Sequence, residues 1–191
     1  MSRPAIIAVF GLSGVGKSTL INQVINTKPS LAVSANAGAL IQQGRSDAIE
    51  KEALRKLPFD EISRNQLFLI KELQRFSAKV NQPAILLDGH CIIDNDHELV
   101  PIPSNIIARL ELSAIVFVWE TAGTIVRRRS DDPSRKRPLL SAHEIARHQK
   151  FALDTCLRYG KELDVPVVVF STSCIDALIT LLIDLTQKNN E

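Results

Sequence analysis

The 191-residue sequence is poor in several features that mark specialised classes of protein. It contains three cysteines, one tryptophan and one tyrosine, and its 23 basic residues nearly balance its 21 acidic ones. An odd cysteine count without paired spacing excludes a disulfide scaffold and predicts a reduced, cytoplasmic chain. No apolar run approaches the roughly 20 residues that cross a bilayer, so no membrane partner is expected. A net charge of +2 argues against a nucleic-acid-binding protein whose whole surface is basic.

Short apolar runs alternate with helical patterns along the chain. Four runs are rich in β-branched or aliphatic residues and a fifth is weaker; they are Ala5–Phe10, Ala84–Asp88, Ala114–Trp119, Pro166–Phe170 and Leu31–Ser34. Runs without polar alternation are typical of parallel strands that are covered on both faces. The pattern predicts a single α/β domain over residues 1–191, with a central parallel sheet of about five strands flanked by helices. Trp119 is predicted to lie in the core, and ligands are expected beyond the carboxyl ends of the strands.

A glycine-rich segment follows the first predicted strand directly. The nine residues GLSGVGKST, from Gly11 to Thr19, match G-x-x-x-x-G-K-[ST] at every fixed position. Glycines allow backbone N–H groups to approach phosphate oxygens, and the N-terminus of the next helix favours the same anion. The motif predicts a nucleoside triphosphate site in which Lys17 reaches the β- and γ-phosphates. The predicted ATP-binding residues are Gly11, Ser13, Gly14, Val15, Gly16, Lys17, Ser18 and Thr19.

This motif is shared by kinases, GTPases and motor ATPases. The guanine-binding signature N-K-x-D is absent from the sequence, which argues against a GTPase. A motor or AAA-type ATPase is expected to need a longer chain and a second module. A small kinase needs a carboxylate near Mg²⁺, an acceptor pocket, and cations that neutralise the transferred phosphoryl group.

A candidate metal site follows from the third strand pattern. Asp88 ends the run AILLD and is placed to hold Mg²⁺, with the hydroxyl of Ser18 as the second protein ligand. His90 comes two residues later and is a candidate contact for the acceptor phosphate. A turn aspartate and a surface histidine are the plain structural alternatives.

A cluster of basic residues needs a local explanation. Six of the eleven residues from Arg127 to Arg137 are arginine or lysine, and Asp-Asp-Pro-Ser lies between the two groups. We interpret the segment as a lid whose guanidinium groups close on phosphate oxygens, since the planar fork of arginine binds two oxygens at once. A solvated surface and a nucleic-acid patch remain alternatives.

Taken in order, the motifs resemble those of the archaeal-type adenylate kinases, a branch of the P-loop nucleoside monophosphate kinases. The matching segments cover most of the chain; they are GLSGVGKST, LRKL at 54–57, LLDGH at 86–90, VPIPSNII at 100–107, WETAG at 119–123, RRSDDPSRKR at 128–137, HQ at 148–149 and YG at 159–160. The resemblance implies an acceptor-binding arm over about residues 34–80 and a short lid over about 128–138.

The same resemblance implies roles for individual arginines. Arg55 and Arg64 would bind the monophosphate in the arm. Arg128 would lie against the ATP base or phosphates, and Arg135 and Arg137 would neutralise the transferred group.

The expected function is a Mg²⁺- and ATP-dependent phosphotransferase acting on a nucleoside monophosphate, with ATP + AMP to 2 ADP as the first hypothesis. Two alternatives stay open: a P-loop kinase for another nucleotide or a small molecule such as a sugar, and an adenylate-kinase-like ATPase in ribosome or RNA maturation. In the second alternative, Arg127–Arg137 would contact RNA. The sequence leaves open whether the chain forms homo-oligomers.

Overall fold

A five-stranded parallel sheet forms the centre of the residues that the structure, a computed structural model, describes: 3–45, 53–57, 59–132 and 140–188. In chain order the strands are β1 (Ala5–Phe10), β2 (Ala32–Asn36), β3 (Ala84–Asp88), β4 (Ile92–Asp94), β5 (Leu99–Pro101), β6 (Ala114–Val118) and β7 (Val167–Phe170). β4 and β5 pair with each other as an antiparallel hairpin outside the main sheet. The expected α/β architecture with a central parallel sheet of five strands is therefore confirmed.

Helices connect the strands and cover the sheet. They are α1 (Lys17–Thr27), α2 (Ala37–Gly44), a 3₁₀ helix (Ala53–Lys56), α3 (Phe59–Ser77), α4 (Ser104–Ala108), α5 (Ala122–Ser130), α6 (Ala142–Leu163) and α7 (Ile175–Lys188). Every residue of β1 and β6 is buried, because both faces of these central strands pack against helices. α6 begins with a reciprocal capping box between Ser141 and Glu144.

The order of the strands determines where a ligand can bind. The main sheet runs β2-β3-β1-β6-β7, so the chain leaves β1 toward one edge and later crosses to the other side. A crevice opens at such a reversal, outside the carboxyl ends of the strands. The register places Asp88, the last residue of β3, beside Val9 of β1, one residue before the end of that strand. The loops after β1 and β3 therefore meet at one point.

One sequence expectation about the core is wrong. Trp119 follows the last residue of β6 and keeps 36% of its surface exposed. The apolar run extends one residue beyond the strand, so the indole reaches the edge of the sheet instead of its interior. Its ring tilts against Phe117, with centroids 6.3 Å apart.

The segment between β2 and β3 contains α2, the 3₁₀ helix and α3, in the region where the acceptor arm is predicted. α2 packs against α3 through Gly44, where an added Cβ would lie 2.9 Å from Cβ of Phe68. Among the described residues, no helix combines the length and the apolar character that crossing a membrane requires.

Candidate active site

The phosphate loop occupies the turn between β1 and α1. Gly16 stands at the N-cap of α1 with φ of 106°, a backbone conformation that disfavours other residues. An added Cβ would lie 2.6 Å from Cγ2 of Thr172, in the segment after β7. Glycine at this position therefore lets the loop pack against that segment while the N-terminus of α1 faces the cavity, as an anion site requires.

Lys17 is buried within this loop, with 6% of its surface exposed. Its Nζ donates to the carbonyl oxygens of Gly11 at 2.9 Å and Leu12 at 3.1 Å. The loop thus holds the ammonium group over its own backbone. A bound triphosphate would offer this group anionic oxygens in place of neutral carbonyls, which are weaker partners.

Ser18 and Asp88 come together across 70 residues of sequence. The Ser18 hydroxyl donates to Oδ2 of Asp88 at 2.7 Å. The parallel pairing of β1 and β3 causes this approach, since it aligns the start of α1 with the end of β3. A hydroxyl and a carboxylate are hard oxygen ligands, and Mg²⁺ is typically bound by one or two carboxylates together with substrate phosphates and water. The pair fits the predicted magnesium site.

His90 contacts the phosphate loop from the segment that follows β3. Its Nδ1 is 3.0 Å from the Gly11 carbonyl oxygen, so that nitrogen carries the proton and donates. Gly11 therefore accepts from both His90 and Lys17. His90 also lines the cavity, so it contacts both the phosphate loop and the cavity.

Two arginines of α5 hold the phosphate loop from the other side. Arg128 donates from Nη1 to the Val15 carbonyl at 2.7 Å, and Arg129 donates from Nε to the Ser13 carbonyl at 3.0 Å. Sequence reasoning selected Arg128 but missed Arg129. The run of three arginines was a usable signal, because adjacent residues in the last turn of a helix can contact neighbouring points of one loop.

Two motifs that carried the family resemblance support this arrangement. Gln149 donates to the Glu120 carbonyl at 2.8 Å and accepts from the Glu120 N–H at 3.3 Å. The Glu120 carboxylate lies 3.3 Å from Nη2 of Arg128, so Gln149 fixes the residue that orients that arginine.

The second motif joins α6 to the sheet. The hydroxyl of Tyr159 donates to the Ile102 carbonyl and lies 3.3 Å from the carbonyl of Cys91, and burial raises the pKa of the phenol. At Gly160 an added Cβ would lie 2.4 Å from Cγ2 of Val167. Only glycine permits this approach between α6 and β7.

A single cavity of about 500 Å³ joins the phosphate loop to the arm helices. Its wall includes Ser13, Lys17 and Ser18 at one end, and Asn65 and Gln66 of α3 at the other. Such a volume suits a small-molecule ligand. Donor and acceptor sites would therefore open into the same space.

The other predicted arginines have different placements. Arg64 is exposed on α3, and its neighbours Asn65 and Gln66, which face the cavity, were not selected from the sequence. Arg55 lies in the 3₁₀ helix, where its side chain is outside the described residues; Arg135 and Arg137 lie outside them entirely. The roles of these three residues stay predictions.

His148 and Asp94 complete one wall of the cavity. Nδ1 of His148 is 3.9 Å from Oδ2 of Asp94, and both residues line the space beside Arg129. Burial lowers the pKa of His148, as do Arg129 and Arg147, whereas Asp94 and Glu144 act in the opposite direction.

Comparison with known protein families supplies the family. A model described as "AAA domain" matches residues 10–146, which is most of the chain and includes the phosphate loop, Asp88 and the α5 arginines. The chain belongs to this AAA domain family. The match concerns the domain alone, and it does not test the expectation that a motor or AAA-type ATPase needs a longer chain.

Curated relatives of this family member are archaeal adenylate kinases. The chain is 27% identical over 161 residues to the adenylate kinase of Thermococcus kodakarensis, covering 82% of this chain and 81% of the relative. It is 25% identical over 162 residues to that of Methanococcus aeolicus, covering 81% and 82%. For the enzyme of Pyrobaculum aerophilum the identity is 27% over 148 residues, covering 75% and 73%. The resemblance inferred from the motifs is confirmed.

A solved structure agrees on the fold. An unliganded crystal structure titled as a sugar kinase, from Janibacter sp. HTCC2649, aligns with a TM-score of 0.58 at 17% identity, covering 97% of this chain and 98% of the other. At this identity the match concerns the fold alone. The family match and the curated relatives identify the domain as a P-loop kinase domain of the kind that transfers phosphoryl groups from nucleotides.

Proposed function

We propose that the protein transfers the γ-phosphoryl group of ATP to a nucleoside monophosphate, with AMP as the acceptor and two ADP as products. One observation carries the proposal: a single cavity runs from the Lys17 loop to the buried amides of α3. A kinase needs both substrates in one water-poor space, because in-line transfer requires the attacking and leaving oxygens on opposite sides of one phosphorus atom.

The chain contributes positioning and charge. The backbone N–H groups of the loop and Lys17 bind the donor phosphates, and Arg128 and Arg129 hold the loop in shape. An oxygen of the acceptor phosphate forms the new P–O bond as the bond between the γ-phosphorus and the β,γ-bridging oxygen breaks. ADP leaves with that oxygen, so no covalent intermediate on the protein is required.

Ser18 and Asp88 would hold Mg²⁺ when ATP is bound. The ion would neutralise part of the phosphate charge during transfer. The lid arginines Arg135 and Arg137 would close over the same oxygens, and Arg55 and Arg64 would bind the acceptor phosphate. Closing a lid also excludes water, which would otherwise compete as an acceptor.

A panel of acceptors tests the proposal. The protein is incubated with ATP, Mg²⁺ and each of several monophosphates, a sugar, or no acceptor, and the products are scored as diphosphate, sugar phosphate or free phosphate. Formation of ADP from AMP supports the proposal. Turnover only with the sugar would favour the small-molecule kinase, and phosphate release stimulated by RNA, with salt-dependent RNA binding, would favour the maturation factor.

A variant localises the acceptor. Arg55→Ala is expected to raise the KM for the monophosphate by about tenfold or more while the KM for ATP changes little, because one charge-assisted contact contributes about 1.5–3 kcal/mol. Lys71→Ala, on the exposed side of α3, is the matched control. An equal rise in both KM values would contradict the assignment of Arg55 to the acceptor site.

A further inference from the structure

Two consecutive amide side chains of α3 reach the cavity, and the mechanism above does not use them. Asn65 is 2% exposed and Gln66 is 4% exposed, and both line the cavity. Their Cα atoms are about 3.8 Å apart, as in any trans peptide. Burying an amide costs free energy unless it is hydrogen-bonded. The orientation of each amide therefore indicates which of its atoms a ligand would meet.

Arg45 determines the orientation of Asn65. The Arg45 side chain is 11% exposed, its Nη2 lies 3.9 Å from the carboxylate of Glu61, and its Nη1 donates to Oδ1 of Asn65. A guanidinium group only donates, so the amide oxygen must face it. The Nδ2 amino group of Asn65 is therefore turned away from Arg45, and no described residue accepts from it.

A backbone carbonyl determines the orientation of Gln66. Its Nε2 donates to the carbonyl of Ile62, one helical turn earlier, at 3.4 Å. A carbonyl only accepts, so the amide nitrogen must face it. Oε1 of Gln66 is left to accept, and among the described residues no group donates to it.

Both remaining atoms face the cavity. Among the described residues, no enclosed side-chain nitrogen or oxygen lacks a hydrogen-bond partner. Nδ2 of Asn65 and Oε1 of Gln66 have no partner there, so each keeps some accessible surface. Since both residues are almost wholly buried and line the cavity, that surface belongs to the cavity wall.

The wall around the amides is apolar. Ile41, Leu54, Ile62 and Leu69 also line the cavity, and Ile62 and Leu69 lie one helical turn from the amides on α3. The site therefore offers one fixed donor and one fixed acceptor within an apolar lining. These features complement a flat heterocycle that presents an acceptor beside a donor.

We propose that Asn65 and Gln66 select the base of the acceptor, a step that rests on the proposed function. Adenine has an amino group beside an unprotonated ring nitrogen. The amino group would donate to Oε1 of Gln66, and the ring nitrogen would accept from Nδ2 of Asn65. A 6-oxo purine presents an oxygen and an N–H in those places, which puts donor against donor and acceptor against acceptor. Arg45 acts as the positioning residue, because it prevents the Asn65 amide from turning over.

The test compares AMP with IMP, which differ at this edge of the base. Wild-type protein is expected to prefer AMP by about 100-fold or more, in Kd measured by calorimetry and in kcat/KM, since a site built for hydrogen bonds rejects mismatched partners strongly. Asn65→Asp keeps an oxygen toward Arg45 and presents another oxygen to the base. The AMP-to-IMP ratio should then fall by about 100-fold, with the KM for ATP unchanged.

Two further variants distinguish a loss of base selection from a loss of folding. Arg45→Met releases the Asn65 amide, so selectivity should fall while AMP still binds. Gln74→Glu makes a comparable amide-to-acid change at an exposed position of α3 and should change nothing. Circular dichroism verifies that each variant is folded.

The outcomes separate the two proposals. Phosphotransfer to AMP and IMP at equal rates, or an unchanged ratio in folded Asn65→Asp and Arg45→Met, overturns base selection and leaves the kinase proposal standing. Preferential AMP binding that Asn65→Asp removes, without any phosphotransfer, supports base selection and overturns the kinase proposal. Binding of neither nucleotide overturns both.

Discussion

The proposed function divides the cavity into a donor end at the phosphate loop and an acceptor end at Asn65 and Gln66 of α3, and the two ends offer different chemical groups. At the donor end, the phosphate loop offers backbone N–H groups and Lys17 donates to two nearby carbonyls. At the acceptor end, the contacts come from side chains of α3, which are oriented by Arg45, the residue that follows α2, and by the helix backbone. A backbone site recognises what all nucleoside triphosphates share. A side-chain site can change with one substitution, so we expect donor binding to be general and acceptor choice to be specific.

The largest effect is expected at the centre of the donor end. Lys17→Ala should lower phosphotransfer by about 1000-fold, because the variant loses the cation that meets the β- and γ-phosphates. The hydrogen bonds of Lys17 to the loop are also lost, but so is the cost of burying its ammonium group, so the fold should persist. Turnover at saturating ATP and a thermal melt measure the two effects. Lys28→Ala, exposed after the other end of α1, is the control, and a variant that kept a tenth of the wild-type rate would contradict the role.

The lid arginines test a third part of the proposed site, because they would act in the transition state and not in ground-state binding of either substrate. Arg135→Ala and Arg137→Ala should each lower the single-turnover rate by about 100-fold with less effect on ATP binding. Lysine should restore activity only in part, since it keeps the charge but loses the fork. The double variant should lose less than the product of the single losses if both residues serve one phosphoryl group. If the single-turnover rate is unchanged and the salt dependence of RNA binding becomes shallower, the result contradicts the lid and favours the RNA-maturation alternative.

Two neighbouring arginines of α5, Arg127 and Arg128, test whether contact with the phosphate loop matters. Arg128→Ala should lower kcat by about 10- to 100-fold, because the loop loses a charged donor to the Val15 carbonyl. Arg127→Ala removes the same charge from an exposed position one residue earlier and should change kcat less than twofold. Equal losses in both variants would show that only the general basic charge of the helix matters.

The Ser18–Asp88 pair predicts a smaller, conditional effect. Asp88→Asn should raise the Mg²⁺ concentration required for half-maximal activity by about tenfold, because a carboxylate binds Mg²⁺ better than an amide. Excess Mg²⁺ should restore part of the rate. Asp184→Asn, exposed on α7, is the control, and an unchanged Mg²⁺ requirement in Asp88→Asn would remove this residue from the metal site.

The smallest expected effect is on stability at acidic pH. Burial, Arg129 and Arg147 lower the pKa of His148 in the folded state below its ordinary value of 6.5, against the opposing charges of Asp94 and Glu144. Below that value the unfolded chain binds more protons than the folded chain, so the free energy of unfolding falls as the pH decreases from about 6.5 through the lowered pKa. Thermal melts between pH 5 and pH 7.5 measure this loss.

Substitution separates His148 from other titrating groups. His148→Gln should flatten the acid side of the stability profile, and His143→Gln, at an exposed position of the same helix, should leave it unchanged. Identical acid sensitivity in wild-type and His148→Gln proteins would show that other groups cause the loss.

The sequence by itself determined the donor end. Its parts lie within nine residues, and their spacing follows from the geometry of a strand, a turn and a helix, so the motif is readable without a structure. The parallel sheet was readable for a related reason, since strands covered on both faces must be apolar throughout. The prediction that Trp119 lies in the core was wrong because an apolar run does not mark where a strand ends.

Tertiary structure alone decided the acceptor end. Arg45, Asn65 and Gln66 belong to no motif, and their order along the chain gives no hint that one amide offers a donor to the cavity and the other an acceptor. That arrangement depends on how α2 packs against α3 and on which partner each amide meets. Hydrogen-bond direction is a property of the folded packing, and for that reason the acceptor's base became a testable proposal only once the fold was known.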